Sequence, residues 1–163
     1  MCADPNFDMK DSIRDNIARN GRQIVGVFPD ETSGRRDRPV VNAAFLYTVG
    51  NSVKGVPELL LIGMYDEHGA SMLNWLSEEM IKRGKKFDDG ERVDLGGDYP
   101  VLIIDARLAV KEEYTRSASM FFGENNYTVQ QVILCDPQGR FPGEPGCAKP
   151  YNDVVVWREG RAS

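Results

Sequence analysis

Histidine is the scarcest chemical resource of this 163-residue chain: His68 is its one histidine. Any Ser-His or Cys-His mechanism has to run through that residue. It sits in Asp66-Glu67-His68-Gly69, at an expected helix start. There the positive helix end disfavours an imidazolium and two adjacent carboxylates favour it, the setting of an exposed turn residue. With no second histidine one turn on, a His-based zinc site has no ligand set, and no metal is expected. Cysteine is also sparse. Cys2, Cys135 and Cys147 are odd in number and lack C-x-x-C spacing, so free thiols in a reducing compartment are expected. A Cys135–Cys147 bridge stays open geometrically, because prolines and glycines between them can turn the chain back. Apolar runs long enough for a membrane span are absent, and Met1 to Lys10 has no apolar stretch after a basic start. A cytoplasmic protein with no membrane partner is therefore expected. Positive charge is in deficit, 20 Lys plus Arg against 25 Asp plus Glu for a net charge of -5, so a nucleic-acid partner is not expected either. Neither G-x-x-x-x-G-K-[ST] nor a strand-to-helix G-x-G-x-x-G occurs, which removes the common nucleotide loops.

What is present suits one folded domain. Hydrophobic residues make up 41% and charged residues 28%, a globular mixture. A single domain over 1–163 is expected, with loose termini at 1–7 and 158–163 and a mobile loop at 31–39. Met9, Ile13 and Ile17 predict a helix from about Asp8 to Asn20, stopped at Gly21. Strands are expected at Gln23–Phe28, Val40–Val49, Glu58–Met64, Glu91–Leu95, Val101–Ile104 and Tyr127–Leu134, with an edge strand at Val154–Trp157. Leu73, Leu76 and Met80 predict a second helix over about Gly69–Arg83, with Asp66 as its N-cap, and Val110, Tyr114, Ala118 and Phe121 a third over Arg107–Phe122. Adjacent strands occur without helices between them. The expected fold is therefore α+β, a mostly antiparallel sheet of about five or six strands with about three helices.

Three features carry candidate chemistry. Glu58 enters an apolar strand between Pro57 and Leu59-Leu60-Leu61, so its charge needs a partner: a structural ion pair or a catalytic role. Between the two most apolar strands, Thr48-Val49-Gly50-Asn51-Ser52-Val53-Lys54-Gly55 combines hydroxyls, a lysine and glycines, reading either as an anion-binding loop or as a plain turn. The Pro/Gly segment from Asp136 to Pro150 makes few backbone bonds of its own and must be held from elsewhere. Phe141 is its expected anchor, and Arg140 either pairs with Glu58 or points into water. If the pair forms, the segment closes over a concave site. The candidate ligand-binding set is Tyr47, Thr48, Ser52, Lys54, Glu58 and Arg140. The basic clusters Lys82-Arg83-Lys85-Lys86 and Arg35-Arg36-Arg38 read as solvated faces.

Ala44-Phe45-Leu46-Tyr47-Thr48-Val49-Gly50 and Gly55-Val56-Pro57-Glu58-Leu59-Leu60-Leu61-Ile62-Gly63-Met64 form the core of a wider pattern. With Leu73-Asn74-Trp75-Leu76, Tyr99-Pro100-Val101 and Asp136 to Gly146, it resembles the bacterial family catalogued as domain of unknown function 4262, over Ile17 to Gly146. The resemblance implies a small single-domain protein of bacteria or their phages and brings no reaction, cofactor or catalytic residue. Two positions depart from the family pattern. Asn20-Gly21-Arg22 stands where a His-Gly-Trp group closes the first helix, and Gly143 where an aromatic is common. That favours a non-catalytic binding or regulatory protein with a protein or small-molecule partner. The alternative is a small-molecule enzyme or flavin binder, since the order of strand, polar loop, strand and helix is similar to the flavin-binding split barrel, where Thr48, Ser52 and Lys54 would face the phosphate.

Overall fold

The computed structural model describes residues 9–27, 45–62, 67–106, 118, 122–123 and 127–152. In chain order these form α1 (Met9–Asn20), β1 (Gln23–Val27), β2 (Phe45–Val49), a 3-10 turn (Asn51–Lys54), β3 (Glu58–Ile62), α2 (Glu67–Arg83), β4 (Glu91–Val93), β5 (Val101–Asp105) and β6 (Val129–Ile133). A single helical turn, Lys149–Asn152, follows. The strands build one six-stranded sheet in the order β1-β2-β3-β6-β5-β4. Four neighbouring pairs are antiparallel, whereas β3 and β6 run parallel. The architecture is thus a mixed-sheet α+β domain. The parallel pair is a consequence of order: β6 returns beside β3 after α2, β4 and β5 have intervened, a path no hairpin could take.

Leu59, Leu60 and Leu61 show why β3 reads as a continuous apolar run. Each has no exposed surface, because β3 lies inside the sheet and both of its faces are covered. Leu59 and Leu61 join Leu46, Ile103 and Val132 against Leu73, Leu76 and Met80 of α2 and Phe87. Leu60 points the other way, to Phe45, Tyr47, Val49 and Val129, where Ile13 of α1 and Ala118 close the layer. Ala118 and Phe122 are helical, while the rest of the expected helix over 107–122 lies outside the described residues. So do the expected loop at 31–39, the N-cap Asp66, the edge strand at 154–157 and both termini.

The other expected elements differ only at their ends. α2 begins at Glu67 rather than Gly69, and it stops where Gly84 and Lys85 both donate backbone N–H to the Met80 carbonyl, the bonding of a helix-ending turn. Pro150, expected in an irregular segment, sits in the one-turn helix. Proline is tolerated there because the first turn needs no donor from it. Among the described residues, no helix is long and apolar enough to cross a membrane.

Candidate functional site

The turn between β2 and β3 is organised by a carboxylate from within the chain. Glu58 has no exposed surface, and its two oxygens accept five hydrogen bonds. Oε1 takes the Thr48 hydroxyl at 2.8 Å and the Asn51 N–H at 3.1 Å. Oε2 takes the Gly50 N–H at 3.2 Å, the Ser52 N–H at 2.9 Å and the Ser52 hydroxyl at 2.7 Å. Three successive backbone N–H groups converging in this way form an anion nest, and Glu58 fills it. Every donor is neutral, so burial outweighs the hydrogen bonds and pushes the Glu58 carboxyl above its ordinary range. Gly50 makes the geometry possible. Its φ is +138°, and a Cβ there would lie 2.7 Å from both the Arg22 Cα and the Gly21 carbonyl oxygen, so the turn can touch the α1–β1 connection only through glycine.

Asn51 passes this arrangement on to the neighbouring elements. Its Nδ2 donates to the Pro57 carbonyl at 3.1 Å and the Ser77 hydroxyl at 2.8 Å, with Thr48 Oγ1 at 3.3 Å. Ser77 in turn donates to the Leu73 carbonyl. The remaining atom, Asn51 Oδ1, accepts Arg22 Nε at 2.9 Å. An aspartate in this place would lose the Nδ2 donors and set a second charge beside Glu58.

Arg22 is the buried cation of the region, its side chain 5% exposed. Nη1 donates to Asn74 Oδ1 at 3.1 Å and Nη2 to Glu78 Oε1 on α2. A guanidinium has five N–H donors, so these bonds leave two that no described residue accepts. Arg22 forms the floor of a cleft of about 530 Å³ walled by Asn16 and Asn20 of α1, Gln23 and Ile24 of β1, and Asn74 of α2. Asn16 Nδ2 donates to Gln23 Oε1 at 3.1 Å, which braces one wall. The cleft is therefore lined by one guanidinium, four carboxamides and a single aliphatic side chain, a surface that reads hydrogen-bonding edges rather than apolar bulk.

The residues picked out from sequence divide differently from the expectation. Thr48, Ser52 and Glu58 do meet, but as an internal network. Tyr47, 2% exposed, is packed in the core on the α1 side of the sheet, and Lys54 is exposed at the end of the 3-10 turn. The Glu58–Arg140 pair does not form. Glu58 is satisfied by Thr48, Gly50, Asn51 and Ser52, while the exposed Arg140 donates Nη1 to the Gly146 carbonyl at 2.8 Å. A buried carboxylate surrounded by convergent dipoles needs no guanidinium, which is the physical reason for the correction. Phe141 is the anchor expected of it, 3% exposed against Ile104 and Ile133, with the Arg92 guanidinium 5.0 Å over its ring. The strongest organiser of that segment is Asp136. Its carboxylate accepts the N–H groups of Gln138, Arg140 and Ala148 at 2.8–2.9 Å. Burial would raise it, but these donors and the nearby Arg140 charge hold its carboxyl below the usual carboxylate range. His68 is exposed. Cys135 and Cys147 are free thiols, and Cys2 lies outside the described residues. Arg83 pairs with Glu79 and Glu91, and Lys86 with Asp105, so much of the first basic cluster is committed to ion pairs. Among the described residues, no group of three or more His, Cys, Asp or Glu is placed to hold a metal.

Sequence reasoning missed Arg22, Asn51, Asn74 and Glu78. The one signal for Arg22 was its place in the helix-closing group; its partners lie 29, 52 and 56 residues away, beyond any local pattern.

Fold and site together define a mixed-sheet α+β domain with an internally capped turn and a polar cleft beside it. The family described as a domain of unknown function, DUF4262, matches residues 16–148, and the chain belongs to it. Neither the curated proteins nor the solved structures contain a match to the chain.

Proposed function

We propose that this chain is a non-catalytic binding protein that receives a small polar ligand in the cleft floored by Arg22. The supporting observation is the composition of that cleft: its described walls offer a guanidinium, carboxamides and Ile24, with no nucleophile and no group that titrates near neutrality. Such walls orient hydrogen-bonding groups without moving a proton or forming a bond. A volume of about 530 Å³ suits a small molecule, as ligand clefts run to roughly 300–1,000 Å³. The floor is preorganised, since Arg22 is held by Asn51 and Asn74 before any ligand arrives, which lowers the ordering cost of binding. The reading places the protein in a reducing cytoplasm. The turn at 50–52 supports it less as a phosphate or flavin site, because Glu58 already takes the donors an anion would need.

The test is a thermal-shift panel of amino acids, nucleosides and sugars on the purified protein, repeated on Asn16→Ala and Asn74→Ala. Compounds that raise Tm are expected to lose their effect in both variants. Compounds that stabilise both variants as well as the parent would move the site elsewhere and overturn the reading.

A further inference from the structure

The Arg22–Glu78 pair is unequal. Arg22 is 5% exposed and fixed by two further hydrogen bonds, whereas the Glu78 side chain is 64% exposed and reaches Arg22 through one oxygen. An exposed carboxylate loses little when it returns to water, because exposed ion pairs are weak. A buried guanidinium cannot leave and keeps its need for a counter-charge. Glu78 is also absent from the described cleft walls, where Arg22 is the one charged residue.

Resting on the binding role argued above, we propose that the cleft takes a small monocarboxylate bearing amide or hydroxyl groups, whose carboxylate replaces Glu78 on Arg22. A single guanidinium matches a single negative charge, and its fork suits the two oxygens of a carboxylate. A dianionic phosphate would call for a second cation or a set of backbone N–H groups. The described walls hold no second cation, and the adjacent N–H nest at 50–52 is filled by Glu58. The carbonyl end of α1, at Asn20, opposes an anion, but that effect is confined to the last turn and weakens in solvent. The carboxamides of Asn16 and Asn74 are then left to read the polar body of the ligand, with Ile24 against its carbon skeleton.

The experiment is an NMR titration of the whole chain with N-acetylglycine and with its neutral counterpart N-acetylglycinamide, following the Arg22 Nε–H and the side-chain amides of Asn16 and Asn74. The acid is expected to move all three resonances and to bind ~10-fold or more tightly than the amide, the difference a charge-assisted hydrogen bond makes. Glu78→Gln removes the internal competitor, so affinity for the acid should rise several-fold; a fall would make Glu78 a positioning residue and overturn the exchange. Should that variant misfold, the acid-to-amide ratio on the parent protein still decides. Equal binding of both compounds in the cleft would refute the carboxylate assignment and leave the binding role standing. If neither compound moves these resonances at millimolar concentration, the carboxylate assignment fails. The binding role is then judged by the thermal-shift panel alone.

Discussion

Glu58 is a buried acid surrounded by dipoles and ion-paired with no cation among the described residues, and that decides how its substitution should behave. In Glu58→Gln, one carboxylate oxygen becomes an NH2 that faces donors from the turn. Leaving a buried donor unsatisfied costs about 1–3 kcal/mol. The pH dependence has a definite sign. The folded-state value lies above the unfolded one, so the acid is neutral in both states below about pH 4.3, its unfolded value. As pH rises through the raised folded value, the unfolded chain ionises first, and the fold loses stability from this group. Only the parent has this dependence. Glu91, Asp105 and Asp136, all held below their ordinary ranges, are present in both proteins and cancel in the comparison. Urea unfolding of parent and variant from pH 4 to 8 should therefore show the cost of Glu58→Gln to be largest at the acid end and to shrink as pH rises. A cost that grew with pH would mean that Glu58 is stabilised as an anion.

Between elements, what could be read from the sequence follows from how local the determining forces are. β3 announced itself through its leucine run and α2 through Leu73, Leu76 and Met80, since burial on a sheet face or helix stripe imposes a short repeat on the chain. Phe141 was legible as an anchor for the same reason: a lone aromatic in a Pro/Gly segment has few other ways to hold it. The parallel pairing of β3 with β6 was not legible, because it depends on the order in which distant strands add to the sheet. The network at Glu58 was half legible. Its position showed that the charge needed partners, and Thr48 and Ser52 stood out by their hydroxyls, but the other three partners are backbone N–H groups, which every residue except proline carries and no sequence marks. Asp136 works in the same way on the segment after β6, and its substitution gives a test at this scale. Asp136→Ala should cut hydrogen-exchange protection at Gln138, Arg140 and Ala148 by ~10-fold or more while leaving Gly50 to Ser52 unchanged. Equal loss at both places would mean that the two turns unfold as one unit. In the parent, this bracing is present above the unfolded aspartate value of about 3.9 and is lost as pH falls through the lower folded value.

At the scale of the molecule, one sheet joins two apolar layers, and at two of its strand ends Glu58 and Asp136 each fold a loop inward on a carboxylate. The free thiols lie beside the second of these. Burial, then the charges of Asp136 and Glu144, push the Cys135 and Cys147 thiols up, so both should react slowly with a disulfide reagent at neutral pH. The denatured, unreduced protein should then give all three thiols of Cys2, Cys135 and Cys147, and a count of one would reveal a bridge. The central claim is that one connected network runs from Glu58 through Asn51 to Arg22, so that the buried acid holds the cleft floor in place. The most direct measurement is a carbon-detected NMR titration of the Glu58 carboxyl, with the Arg22 Nε–H followed in the same samples. The predicted result is a Glu58 midpoint above the ordinary glutamate value of about 4.3, with the Arg22 resonance shifting at that same midpoint. A Glu58 midpoint below that value, or an Arg22 resonance that ignores it, would contradict the account.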